Sequence, residues 1–104
     1  MSIEPQRITV EKDGRMLAEA LVRADPPSVH ADFHVESGQL PVGTRTRLVD
    51  AVLDDSSGED AAELTATLPA GDGEILDRLR ERCDDLQLRA AGASTLATGA
   101  IPKS

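Results

Sequence analysis

The chain has 104 residues, the size of one small domain, spanning 1–104 with the last three residues expected to fray. Its 19 acidic residues against 11 basic ones give a net charge of −8, which argues against a duplex-binding protein, and its one aromatic, Phe33, argues against base stacking on single strands. No apolar run is long enough to span a membrane, no leader pattern opens the chain, and one cysteine excludes an internal disulfide framework, so a soluble, cytoplasmic domain is expected.

The chain opens on an alternation. Arg7, Thr9 and Glu11 interleave with Ile8 and Val10, the period-2 pattern of a half-buried strand. Asp13-Gly14 is the signature of a type I′ hairpin, so Met16 to Val22 is expected as the return strand. Ala24 to Ser28 carries two prolines and is expected as a loop. Val29 to Glu36 reads as a clear strand, with Val29, Ala31, Phe33 and Val35 on one face and His30, Asp32, His34 and Glu36 on the other.

A helix follows. Leu48, Val49, Val52 and Leu53 make an apolar stripe, with Thr44 expected as its N-cap after Gly43. Residues 54–60 form a polar connection. Ala62 to Leu68 alternates as a strand that Pro69-Ala70-Gly71 ends. Asp72 is placed to cap a second helix whose stripe is Ile75, Leu76, Leu79 and Cys83, with Glu74 and Arg78 as a favourable i, i+4 pair. A strand burying Leu86, Leu88 and Ala90 and a last strand from Ser94 to Ile101 complete the order β-β-β-α-β-α-β-β. This is an α+β domain: a mixed sheet of about five to six strands, an antiparallel meander followed by two right-handed crossovers.

Gly43-Thr44-Arg45-Thr46-Arg47 gathers two guanidinium forks and two hydroxyls at a helix start, where free N–H groups and positive partial charge favour a phosphate-like anion. The alternative is that Arg45 and Arg47 pair with carboxylates such as Asp50 or Glu36. His30, Asp32 and His34 stand about 6.5–7 Å apart along one strand face, a spacing that suits a metal or pH-responsive site and equally suits a solvated sheet face. Cys83 continues an apolar stripe and reads as core. Asp54, Asp55, Glu59 and Asp60 lack calcium-loop spacing and read as linker. Ser56 and Ser57 lack a nucleophile elbow. Arg78, Arg80, Glu81 and Arg82 read as the solvent face of the second helix.

From residue 15 to residue 101 the element order resembles the later part of the GNAT acyltransferase fold. Gln39, Gly43 and Arg45 before the helix carry the likeness to the family pattern Arg/Gln-x-x-Gly-x-Gly/Ala. Here one residue too many separates Gln39 from Gly43, and Arg45 replaces the last small residue. The family's first strand and two early helices have no counterpart, and the chain has no Tyr to serve as the usual general acid. The resemblance implies a reduced relative that has lost catalysis and holds coenzyme A at the helix start.

The residues alone favour a non-catalytic binding or assembly module, working with another protein or as a homo-oligomer because its alanine-rich core is thin. A coenzyme A or other phosphate site at Gly43 to Arg47 is the alternative, and a histidine-borne site the second. The bias of basic residues to Arg, with Lys12 and Lys103 the exceptions, matches a bacterial, GC-rich composition.

Overall fold

The computed structural model describes residues 6–25, 27–36, 40–56 and 62–102. Six strands and two helices follow the expected order: β1 (Gln6–Lys12), β2 (Arg15–Asp25), β3 (Ser28–Val35), α1 (Thr44–Ser56), β4 (Glu63–Pro69), α2 (Gly73–Arg82), β5 (Asp84–Ala91) and β6 (Ser94–Ala100). They form one sheet in the order β1-β2-β3-β4-β6-β5. Asp13 and Gly14 both take positive φ, 54° and 76°, as a type I′ turn demands. The loop expected from Ala24 to Ser28 is shorter than that. Ala24 pairs with Val29 and Asp25 with Ser28, so the strands run up to the two prolines.

β3 and β4 pair in parallel, as the α1 crossover requires. The second crossover passes over one strand position. β6 returns between β4 and β5 and pairs antiparallel with both, so β5 is carried out to the sheet edge.

Both helices pack on the face formed by the alternating apolar residues. Val22, Ala31, Ala66 and Ala97 lie side by side across four strands, all buried. Side chains this small let Leu48, Val49, Val52 and Leu53 of α1 and Ile75 and Leu79 of α2 settle directly onto the sheet, each at most 1% exposed. Burying a side chain of this size contributes about 1.5–3 kcal/mol, so the helices supply much of what the alanines lack. At Gly99 an added Cβ would lie 3.0 Å from Leu86 Cδ1 and 3.2 Å from the Asp84 carbonyl and Cys83 Cβ. The β5 register shift between Asp84 and Gln87 presses on β6 at that point.

The strand assignment for Leu86 to Ala90 is correct, but the burial expected of it is not. Leu86 is half-buried, whereas Leu88 is 41% exposed and Ala90 is exposed. An edge strand has a neighbour on one side only, and α2 does not cover the outer part of β5.

The basic face of α2 also differs from expectation. Arg78 grips Asp50 of α1 with two hydrogen bonds, 2.8 and 2.9 Å, and donates to Glu81 at 2.7 Å rather than to Glu74. Arg82 donates to both Asp50 and Asp54 at 2.8 Å. Two arginines thus tie α2 to α1, while Arg80 remains exposed. The Arg78 hydrogen bond, aided by Arg82, holds the Asp50 carboxyl below its ordinary range. No helix among the described residues is long and apolar enough to cross a membrane.

Candidate functional site

The start of α1 is built differently from a serine- or threonine-capped helix. The Gly43 carbonyl accepts the N–H of Arg47 at 2.9 Å, and Gly43 has φ +87°, so Gly43 occupies the cap position expected of Thr44. The Thr44 hydroxyl turns inward and donates to the Pro41 carbonyl at 2.7 Å. Glycine has no side-chain oxygen to offer. Among the described residues, therefore, the backbone N–H groups of Arg45 and Thr46 have no acceptor. They lie at the positive end of a 13-residue helix.

The sheet opens close to this helix end. Parallel pairing of β3 with β4 runs from Ser28–Glu63 to Asp32–Thr67 and stops. Beyond it Phe33 to Val35 stay with β2, and Leu68 and Pro69 stay with β6. The cause can be read from the ladder. The Glu63 N–H donates to the Pro27 carbonyl, which fixes odd-numbered β4 residues as those facing β3. In a parallel ladder the pattern advances by two residues on each strand, so Thr65 donates to Val29 and Thr67 to Ala31. The next donor would be residue 69, toward the Phe33 carbonyl. Residue 69 is proline and has no N–H. The ladder ends there and leaves the Phe33 carbonyl without its ladder donor. Val35, one step on, turns its own N–H and carbonyl to the same side, since the Glu36 N–H is the group that bonds to Leu17 on β2.

Both crossovers leave the sheet at this end, so the N-termini of α1 and α2 meet. Asp72 fastens them together. One oxygen accepts the Ile75 N–H at 3.2 Å, capping α2 as expected, and the other accepts Arg45 Nε at 2.9 Å. Arg45 thus pairs with Asp72, not with the Asp50 or Glu36 considered from sequence. Only one edge of its guanidinium is used, and its terminal nitrogens have no partner among the described residues. Arg45, Pro69, Ala70, Asp72 and Glu74 line an open pocket of about 350 Å³. Arg47 is exposed, Thr46 faces the groove between the helices, and Gly43 is half-buried. Gln39 lies outside the described residues.

The histidine side chains lie on the other face of the sheet, which no helix among the described residues covers. His30 stands between Arg23 and Thr65, Asp32 between Leu21 and Thr67, and His34 opposite Glu19. His30, Asp32, Arg23 and the two threonines line a shallow depression of about 270 Å³. Among the described residues no three His, Cys, Asp or Glu side chains are close enough together to hold a metal ion. Cys83 is buried at the end of α2, and burial pushes its thiol up in pKa, against the smaller opposing effect of Arg82. Of the acidic linker, Asp54 pairs with Arg82, and residues 57–61 lie outside the described residues.

No family model matches the sequence, and no curated protein matches it. Solved structures do match the fold. The ribosomal-protein-S18-alanine N-acetyltransferase from Escherichia coli superposes with a TM-score of 0.72 at 10% identity, over 100% of this chain and 74% of that one. The fold is that of the GNAT acetyltransferases. A GNAT-family acetyltransferase from Streptococcus pneumoniae gives 0.69 at 11% identity, over 95% of this chain and 68% of that one. A GNAT phosphinothricin acetyltransferase from Sinorhizobium meliloti, solved with acetyl-CoA, gives 0.66 at 9% identity, over 93% and 61%. The likeness expected from element order is therefore present, despite the imperfect motif at Gln39, Gly43 and Arg45.

Proposed function

We propose that this domain binds a phosphate-bearing ligand of the coenzyme A type at the N-terminus of α1. The observation that carries the reading is a coincidence of position: the uncapped helix end and the split between β3 and β4 lie at the same end of the sheet. The free amides of Arg45 and Thr46, with the Arg47 side chain and the unused edge of Arg45, suit a pyrophosphate. The Phe33 carbonyl and the backbone groups of Val35 suit an amide-bearing arm laid between the strands. A GNAT-fold structure solved with acetyl-CoA supports the ligand class. The proposal is for binding without acyl transfer, since the chain has no tyrosine to act as general acid.

Calorimetric titration with coenzyme A and with pyrophosphate tests this. Both should bind, and binding should weaken as salt is raised. Arg47→Gln is the clean probe, because an exposed charge with no partner among the described residues contributes little to stability. It should weaken both ligands without moving the melting temperature. Arg45→Gln should weaken them too, but it also strips the partner from Asp72, whose side chain is only 8% exposed. Absence of binding by the wild type at millimolar ligand overturns the proposal.

A further inference from the structure

We propose that the outer edge of β5 pairs with the same edge of a second copy of this chain, joining two sheets into one across a two-fold axis. This edge lies two strands away, in the sheet order, from the proposed ligand site at the end of the β3–β4 pair. The Ile101 N–H donates to the Ala62 carbonyl at 2.9 Å, so odd-numbered residues of β6 turn their backbone groups toward β4. Leu88 and Ala90 stand opposite Ala97 and Thr95. In an antiparallel pair, facing residues either bond to each other or both turn away. Leu88 and Ala90 therefore turn their N–H and carbonyl groups outward, away from β6. Among the described residues no strand lies beyond β5 in the sheet order.

The edge is suited to its own copy. The β5 register is disturbed only between Asp84 and Gln87, and from Gln87 to Ala91 the strand is regular. Antiparallel pairing about an axis at Leu88 sets Leu88 against its counterpart on the helix side of the sheet. It sets Leu86 against Ala90, and on the other side Gln87 against Arg89. An exposed leucine is covered by a leucine, the outward bonds of Leu88 are exchanged reciprocally, and no like charges face each other. An axis one residue further on would oppose Arg89 to Arg89 and is disfavoured. Charge also distinguishes this edge from the other one. Gln87 to Ala91 carries a single charge, on Arg89, in a chain of net charge −8. β5 has its two aspartates and its register shift at its start, between Asp84 and Gln87, and leaves the rest of the strand regular. β1 at the far edge carries charge at both ends, on Arg7, Glu11 and Lys12, and charges of this kind blunt an edge against pairing.

Sedimentation equilibrium at high micromolar concentration tests the proposal. The expected species has twice the 11.0 kDa mass of one chain. Association should tighten with added salt, because screening relieves repulsion between two acidic molecules. Ala90→Pro removes an N–H that β6 does not use, so the folded monomer should be retained while association falls at least tenfold. Leu88→Lys brings two like charges to the axis and should have the same effect through side chains alone. Circular dichroism confirms that both variants stay folded. A single 11.0 kDa species at high salt overturns the proposal. A dimer that survives both variants overturns it too, since it would lie on another surface. So would a monomer that binds only an unrelated extended peptide at this edge.

Discussion

Replacing Pro69 with alanine tests the account of the split sheet most directly. The substitution supplies the missing N–H at the one position of β4 that faces the Phe33 carbonyl, and the parallel ladder can advance by one step. A new backbone hydrogen bond contributes about 1 kcal/mol net. Against it, removing a proline frees the unfolded chain and lowers stability by about 0.4–1 kcal/mol. The two effects nearly cancel, so the melting temperature should move by only a few degrees. The site should respond more clearly. A ligand arm entering between β3 and β4 must now break a bond of about 1 kcal/mol, which lowers its affinity about fivefold. Amide hydrogen exchange on the variant should show the new amide at position 69 protected, alongside those of Thr65 and Thr67. Calorimetric titration with coenzyme A should show the loss of affinity, with pyrophosphate less affected because it contacts the helix end. If the new amide exchanges freely, the helices and not the proline hold the strands apart, and the reasoning fails.

Acid titration should show a stability contribution from Asp50: its folded pKa is depressed, so the contribution is full above the unfolded value of about 3.9 and is lost as pH falls through the folded value. Asp50→Asn should abolish that part of the acid dependence in thermal melts followed between neutral and acid pH. Asp72→Ala removes a helix cap and leaves Arg45 unpaired, and chemical denaturation should show a loss of about 1–3 kcal/mol. Gly99→Ala should cost about 1–3 kcal/mol in the same assay, since the added methyl meets backbone as well as Leu86. Cys83 should react with a thiol reagent only as fast as the protein opens, and a rapid reaction of the native state would contradict its burial.

Much of the architecture was legible because binary pattern and turn chemistry agreed. The alternation of Val29 to Val35, the stripe of Leu48 to Leu53 and the Asp13-Gly14 turn each point to one local structure. The errors fall where a long-range choice decides. Leu86, Leu88 and Ala90 carry a buried-strand pattern, but burial requires a neighbour on each side, and β6 took the inner position. Arg78 has a suitable carboxylate at Glu74, yet Asp50 on α1 offers two oxygens to the planar fork and wins. The Gly43 to Arg47 segment was visible as a cationic helix start. The partner of Arg45 was not, because nothing local to residue 45 shows that the α2 crossover brings Asp72 beside it.

The candidate site depends on what two residues lack. At Gly43 the missing side chain means that the cap itself offers no oxygen to the amides of Arg45 and Thr46. At Pro69 the missing N–H means that nothing on β4 satisfies the Phe33 carbonyl. Either deficit in a packed interior would be a defect, because an unsatisfied buried polar group costs about 1–3 kcal/mol. Here both fall at the open end of the parallel pair, where solvent or a ligand can supply the partners. Sequence patterns that search for side-chain chemistry pass over such positions, since neither residue contributes a functional group. A proline closing an otherwise regular alternating strand, followed by a crossover to a helix, is the signal that was available. It becomes informative once the strand beside it is known to be parallel, because only then does the register assign the missing donor to the Phe33 carbonyl.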